Sequence, residues 1–174
     1  MGGHARACWI PPASTSLFTH STHAAARLRG VAKVDTANGT VGYVPDASTA
    51  YVASMPVTTE VVISILGGAG NDSVSFDTAT LPRGVTFRFD GGAGLNTIIG
   101  PAADTTWALT GADSGSYAGV TSVHIRDIRG SPDNKDTFVL EPGGSVSGLL
   151  DGCARGHDTL VVAGRRGRLS PTAV

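Results

Sequence analysis

Several features that mark common classes of protein are scarce in this sequence of 174 residues. Charged residues make up only 16%, and the formal net charge is −1, so the basic surface of a general nucleic-acid binder is not expected. Two cysteines are too few for a disulfide framework. No stretch approaches the roughly 18 consecutive apolar residues of a membrane-spanning helix. Neither a nucleic-acid partner nor membrane insertion is therefore predicted.

Helical signals are scarce as well. Apolar residues spaced three and four apart are hard to find, whereas glycine accounts for 24 residues, and valine, threonine and serine are abundant between the glycines. This texture predicts an all-β chain of short strands joined by tight turns. The candidate strands are 40–44, 49–53, 60–66, 73–77, 85–90, 97–99, 106–110, 120–126, 137–140, 145–150 and 159–162.

Composition divides the chain into three parts. Residues 1–30 are rich in proline, serine, histidine and alanine without periodicity, and are predicted to be a poorly ordered N-terminal segment. They lack the continuous apolar core of a secretory signal. Residues 31–164 are the predicted β-repeat region. Residues 165–174 form a basic C-terminal tail that contains Arg165, Arg166 and Arg168.

Internal repetition gives the strongest indication of architecture. Residues 66–74 return as residues 90–98, and weaker copies cover 130–138 and 151–160. The polar residues that precede the following strand in each copy are Asp72, Asn96, Asp136 and Asp158. The first and last steps in this series, from Asp72 to Asn96 and from Asp136 to Asp158, each fit one coil of a parallel β-helix. The longer middle step is interpreted as one coil plus an inserted loop at 111–119.

The predicted fold is therefore a parallel β-helix or solenoid-like stack of short strands with glycine-rich turns. One such coil cannot bury its apolar side chains, but stacked coils bury them in a shared interior. The apolar residue that shares one place after each turn is expected to lie in one interior column. These residues are Val74, Ile98, Phe138 and Leu160.

Residues 67–75 match in full the nonapeptide G-G-x-G-x-D-x-U-x, in which U is a large apolar residue. Glycine permits positive φ and close packing of carbonyl groups, and aspartate supplies the hard oxygen that Ca²⁺ favours. The motif resembles the RTX, or haemolysin-type, calcium-binding repeat, in the spaced form of large bacterial adhesin-like β-helical surface proteins. The resemblance implies a Ca²⁺ site. Its residues would be Gly67, Gly68, Gly70, Asn71 and Asp72, with Asp90 and Asn96 added from the next turn.

The sequence also departs from that family. RTX repeats follow one another every nine residues, whereas the second copy here begins only at Gly91 and carries Asn96 in place of the carboxylate. The last copy has Asp158, but Cys153 and Ala154 replace its glycines. The same glycine and Asx residues also make ordinary sharp turns, because Asn and Asp side chains bond their own backbone. A purely structural turn therefore stands beside the calcium site.

The functional expectation is a calcium-associated, adhesin-like structural segment of a large secreted or cell-surface bacterial repeat protein. Its expected partners are Ca²⁺ and a surface glycan or a ligand on a host or neighbouring cell. No zinc-protease, phosphate-loop or nucleophile-elbow motif occurs, so the chain is not expected to be an enzyme. The alternatives are a structural β-repeat without calcium, or a fragment of a polysaccharide-acting β-helix lyase or epimerase. Polar residues for the latter would be Asp127, Arg129, Asp133 and Lys135.

Overall fold

The computed structural model describes residues 8–10, 15–20, 29–35, 40–45, 53–56, 61–77 and 81–164, with side chains described within 62–77 and 81–164. These residues are all-β, and no helix occurs among them. The all-β prediction is therefore confirmed for the described part of the chain. In particular, no apolar helix long enough to cross a bilayer occurs there.

The strands are short, as expected for a chain punctuated by glycine, proline and Asx residues. Their bounds are β1 Cys8–Ile10, β2 Thr15–His20, β3 Arg29–Asp35, β4 Thr40–Pro45, β5 Ala53–Pro56, β6 Val61–Leu66, β7 Ser73–Phe76, β8 Val85–Asp90, β9 Thr97–Ile99, β10 Thr106–Gly111, β11 Ser114–Tyr117, β12 Val120–Val123, β13 Asp127–Arg129, β14 Thr137–Leu140, β15 Leu150–Asp151 and β16 Thr159–Val162.

The strands form two sheets. The larger has the order β1-β2-β6-β8-β12-β11-β10-β14-β16, and the smaller has the order β15-β13-β9-β7-β3-β4-β5. Most pairs in both sheets are parallel. Antiparallel pairs join β1 to β2 and β11 to both β10 and β12 in the larger sheet, and β4 to both β3 and β5 in the smaller one. The architecture is thus a pair of mixed sheets in which strands distant along the chain lie side by side.

The parallel pairs have regular sequence shifts. β6 pairs with β8 and β7 pairs with β9 at one and the same shift, which places Ser73 opposite Thr97. Near the C-terminus the shift is two positions shorter and places Thr137 opposite Thr159. Between these regions β10 pairs with β14 at a longer shift, with Thr106 opposite Thr137. Strands separated by these shifts are therefore spatial neighbours.

An antiparallel meander accounts for the longer shift. β10 turns tightly into β11, with Gly111 opposite Ser114, and β11 turns into β12, with Tyr117 opposite Val120. The shift between β10 and β14 exceeds the shift between β14 and β16 by about the length of such an addition. The predicted insertion at 111–119 lies in this place, but it is a paired strand with two turns and not a loop.

The apolar residues that were assigned to one interior column occupy two. Val74 lies opposite Ile98 in the smaller sheet, whereas Phe138 lies opposite Leu160 in the larger one. The single-column prediction is wrong because these residues follow turns that lead into different sheets. Leu160 is also 57% exposed, so it is not a core residue in the described chain.

The core is formed by the inward-facing side chains of both sheets. Burial alternates along β8, where Val85, Phe87 and Phe89 are buried and the residues between them are not. Aromatic rings fill the centre: the Phe76 and Phe87 centroids are 5.4 Å apart, edge to face. Such alternation is the period of two that identified these strands in the sequence.

Three predicted strands differ from the observed ones. The predicted strand 120–126 is shorter in the structure: β12 ends at Val123, because His124 adopts φ 56° and ends the extended backbone. His124 therefore lies in a turn, and the next strand, β13, begins only at Asp127. Of 145–150 only the last residue belongs to a strand, β15. Of 49–53 only Ala53 does, at the start of β5, and 49–52 lie outside the described residues.

The predicted three-part division is covered unevenly. Within 1–30 the structure describes β1, β2 and the first two residues of β3, and β2 pairs in parallel with β6. The other residues of that segment and the tail 165–174 lie outside the described residues. That residues 1–30 are poorly ordered stays a prediction.

Candidate functional site: two Asx-bonded corners

The repeated motif lies where chain segments pass from one sheet to the other. We call residues 67–72 and 91–96 the first corner; they connect β6 to β7 and β8 to β9. Because these strands pair in parallel with one register, the two loops lie against each other, with Ala69 and Ala93 forming a parallel bridge. The corner is therefore built from two copies of one turn in contact.

Glycine is required in this corner by close approach of the two loops. Gly92 and Gly94 have φ of 70° and 115°, and a Cβ on either would collide with the carbonyl oxygen of Gly68 or Gly70. The Gly68 carbonyl oxygen accepts a hydrogen bond from the Ala93 amide at 2.8 Å. The glycines thus permit both the left-handed backbone and the contact between loops.

Asx side chains complete the contact. Asp72 is 1% exposed and Asn96 is 0% exposed. The Asp72 amide donates to Asn96 Oδ1 at 3.0 Å, and the Thr97 amide donates to the Asp72 carbonyl at 2.8 Å. Asn96 Nδ2 donates in turn to the carbonyl oxygens of Gly92 at 3.2 Å and His124 at 3.0 Å. Asn96 therefore ties its own loop to the segments on both sides.

Two other predicted site residues, Asn71 and Asp90, also form hydrogen bonds at this corner. Asn71 Oδ1 accepts from the Leu95 amide at 2.9 Å. Asp90 Oδ1 accepts from the Gly92 amide at 2.9 Å, which closes an Asx turn, and also lies 2.8 Å from His124 Nδ1. Both side chains act as acceptors for backbone groups of the corner, as Asn and Asp commonly do in turns.

The structure brings all the predicted metal-site residues to the first corner. Those residues are Gly67, Gly68, Gly70, Asn71, Asp72, Asp90 and Asn96. What their geometry shows is a set of hydrogen bonds between loops. Among the residues with described side chains, no group of three or more His, Cys, Asp or Glu is placed to hold a metal ion.

The structure contains a second corner, which the sequence pattern did not distinguish from the first. Residues 130–136 and 152–158 connect β13 to β14 and β15 to β16. The Asp136 amide donates to Asp158 Oδ1 at 2.9 Å, and the Thr159 amide donates to the Asp136 carbonyl at 2.8 Å. These are the same two hydrogen bonds that join Asp72, Asn96 and Thr97 in the first corner.

The interpretation of the four Asx residues as one series is therefore wrong. Asp72 and Asn96 form one pair, and Asp136 and Asp158 form another at a different turn. The long step from Asn96 to Asp136 passes from one corner to the other. Sequence spacing alone did not reveal this because both corners end with an Asx residue followed by a strand.

A glycine five or six positions before each Asx is shared by both corners. A Cβ on Gly67, Gly91, Gly130 or Gly152 would meet the side chain of Asp72, Asn96, Asp136 or Asp158, respectively. The glycine thus leaves the space that the Asx side chain fills. This spacing, five positions in the first corner and six in the second, is the sequence signal that could have separated them.

Asp136 is 1% exposed, and burial raises the pKa of its carboxyl group above the ordinary value. Hydrogen bonds oppose that rise: Oδ2 accepts from the Ser131 amide at 3.3 Å, and Oδ1 accepts from Asn134 Nδ2 at 3.2 Å. Because the folded state holds its proton more tightly, Asp136 contributes less to stability as pH rises through and above the ordinary carboxyl range.

A shallow groove lies on the outer face of β6, β8 and β12. It has a volume of about 410 Å³, and its polar lining includes Ser64, Arg88 and Thr121, which lie side by side on the three strands.

The residues proposed for a polysaccharide enzyme lie outside this groove: Asp127 and Arg129 are in β13, and Asp133 and Lys135 are in the second corner.

Comparison of the chain with protein-family models, with curated proteins and with solved structures finds no match.

Proposed function

We propose that this chain is a structural segment of a large secreted or cell-surface repeat protein, with its strands wound as a parallel β-helix-like stack. The observation that carries the proposal is the regular parallel pairing of β6 with β8, β7 with β9 and β14 with β16, at shifts that differ by no more than two positions. Strands linked in this way form an elongated scaffold in which each coil contacts its neighbours.

In this proposal β8, β9 and β10 form one coil, and β12, β13 and β14 form the next. Each strand of the second coil pairs in parallel with the corresponding strand of the first. β11 is the addition between the two coils. Such a scaffold offers an extended binding surface and needs no catalytic groups. This suits an adhesin-like role toward a surface glycan or a neighbouring cell.

The coil arrangement is tested by disulfide cross-linking across neighbouring strands. Ser64 lies opposite Arg88 on the outer face, so Ser64→Cys combined with Arg88→Cys, in a Cys8→Ser and Cys153→Ser background, is expected to form an intramolecular disulfide on oxidation. The matched control pairs Ser64→Cys with Thr86→Cys, which lies opposite Val62 and not Ser64. Equal yields for both pairs would contradict the register.

The cellular part is tested separately. Antibodies against the chain are expected to label intact cells of its source, and external protease is expected to remove the label. Labelling that appears only after the cells are permeabilised would contradict a surface location.

The first corner favours the structural form of the hypothesis over the calcium-associated form. Calcium takes six to eight oxygen ligands. Here the carbonyl oxygens of Gly68 and Ala93 already accept amide hydrogen bonds, and Asn96 is engaged at both side-chain atoms. These hydrogen bonds close the turn with the corner's own groups, which supports the structural form. Calcium binding stays a prediction from the motif.

A calcium titration separates the two forms. With the Kd of roughly 10⁻⁴–10⁻³ M typical of extracellular modules, about 5 mM Ca²⁺ adds about 1–2 kcal/mol to stability. The structural form predicts no such rise in Tm for the wild-type chain. A rise that chelator reverses, and that is lost in Asp72→Asn but kept in Asp136→Asn, would establish the calcium-associated form.

The enzyme alternative has its own test. A lyase or epimerase fragment is expected to change uronate polymers, detected as new unsaturated product or altered composition of the polymer. We expect no change with the isolated chain.

A further inference from the structure

The two ends of the larger sheet differ. β16 is the last strand at one end, and its described neighbour, β14, pairs with it in parallel on one side. At the other end of the same sheet the last strand, β1, pairs antiparallel with β2. The edge at β16 thus interrupts a parallel stack in the described chain.

The interior columns are open at this edge. Trp107, Phe138 and Leu160 lie side by side on β10, β14 and β16, and their exposure rises from 0% to 3% to 57%. The neighbouring column ends at Val162, which is 37% exposed and lies opposite the half-buried Leu140. Leu160 and Val162 therefore have core positions without core burial.

Exposed apolar surface is concentrated here. Six large hydrophobic residues are exposed in the described chain. Three of them, Leu160, Val161 and Val162, are in β16. Natural sheet edges are commonly protected by charged residues, proline or a bulge. The four residues of β16, Thr-Leu-Val-Val, include neither a charge nor a proline.

We propose that β16 is a self-association edge, on which β16 of a second copy of this chain pairs antiparallel about a twofold axis at Val161. In that register Leu160 of each copy lies opposite Val162 of the other, so both core columns are covered. Val161, which alternates to the outer face, lies opposite its own counterpart.

The edge suits a second copy because it is complementary to itself. A twofold axis makes both Leu160–Val162 pairs from one contact, and such isologous dimers are the commonest oligomers. The charged residue that directly precedes the strand, Asp158, falls opposite Gly164, which has no side chain. No like charges therefore meet within the paired strands.

Sedimentation velocity of the full chain tests the proposal. The wild-type chain is expected to be a dimer that dissociates on dilution. Val161→Lys places two ammonium groups opposite each other on the outer face, without altering a core position, and is expected to raise the dimer Kd at least tenfold. Val123→Lys is the matched control, because Val123 is also an exposed valine (42%) but lies on β12.

The register is tested by oxidation with diamide in a Cys8→Ser and Cys153→Ser background. Residues directly opposite in an antiparallel pair have Cα atoms about 4.5–5.5 Å apart, within the range for a disulfide. Val161→Cys is therefore expected to give covalent dimer in high yield, and Thr159→Cys in low yield. Circular dichroism verifies that each variant is folded.

Three outcomes would overturn the inference. The first is a wild-type chain that is monomeric at all concentrations, as when this edge is covered by other chain segments. The second is an assembly that Val161→Lys and Val123→Lys weaken equally. The third is equal cross-linking of Val161→Cys and Thr159→Cys.

Discussion

In the first corner the left-handed backbone positions are occupied by glycines, such as Gly68 and Gly92, whereas in the second corner they are occupied by Asp133, Cys153 and Arg155, with φ of 66°, 70° and 64°. Residues with a Cβ, other than Asn and Asp, are strained in this region by about 1–2 kcal/mol each. Both corners nevertheless make the same two hydrogen bonds between an Asx residue and the neighbouring loop.

This difference separates what each part of the motif does. The Asx side chain and the glycine five or six positions before it are common to both corners, and they join one loop to the next. The additional glycines of the first corner relieve strain and allow close packing of the loops. The glycine-rich motif is thus one version of a more general turn, whose shared part is the Asx hydrogen bond.

The largest effect is expected where a Cβ cannot fit. In Gly92→Ala the new Cβ would collide with the Gly68 carbonyl oxygen, so strain and displacement together are expected to lower the free energy of unfolding by about 4 kcal/mol. Gly143→Ala is the control, since Gly143 has φ 89° but no neighbour within 4 Å of a Cβ. It is expected to cost only about 1–2 kcal/mol. Urea denaturation measures both, and equal losses would contradict the role of loop contact.

A smaller effect compares the Asx residues directly. Asn96→Ala leaves the Asp72 amide and the carbonyls of Gly92 and His124 without their partner, which is expected to cost about 3 kcal/mol. Asp158→Ala removes the acceptor of the Asp136 amide at a more exposed site, and is expected to cost about 1 kcal/mol. Urea denaturation again measures both. If Asp158→Ala lowers the free energy of unfolding as much as Asn96→Ala does, the greater burial of Asn96 does not make its hydrogen bonds more stabilising.

The smallest effect should be a gain. Arg155→Gly relieves a strained φ of 64°. It also removes an exposed ion pair, in which Arg155 Nη1 lies 3.8 Å from Asp133 Oδ2. An exposed ion pair contributes little, so stability is expected to rise by roughly 0.5–1 kcal/mol. Arg155→Ala loses the same pairing but keeps the strain, and is expected to show no gain. Thermal melting distinguishes the two; a gain in both variants would point to the side chain and not the backbone.

Much of the local structure could be read from the sequence. Alternation of apolar and polar residues located β8 at Val85–Asp90 with the observed bounds. A short run of β-favouring residues between turn residues located β14 at Thr137–Leu140, also with the observed bounds. The repeated motif predicted the shift at which β6 pairs with β8, because the two copies of the motif directly follow these strands. These features depend on residues near one another in sequence or on similar copies, so pattern was sufficient.

Other features could not be read in the same way. Val123 and Ile125 alternate with His124 as they would in a continuous strand, but the strand ends at this point. The carbonyl oxygen of His124 accepts a hydrogen bond of 3.0 Å from Asn96 Nδ2, which belongs to a loop distant in sequence. The β11 strand has no clear apolar alternation, and its position depends on pairing with a strand on each side. Its residue Ser116 lies opposite Ala108 of β10 and opposite Thr121 of β12.

The sequence by itself determined that the chain is β-structured and that the turns of the first corner require glycine, because these features follow from side-chain alternation and local sterics. Only the tertiary structure decided which sheet each strand enters and which Asx residues meet. An Asx residue before a strand has the same local chemistry at either corner, and its partner is chosen by how successive segments stack in space.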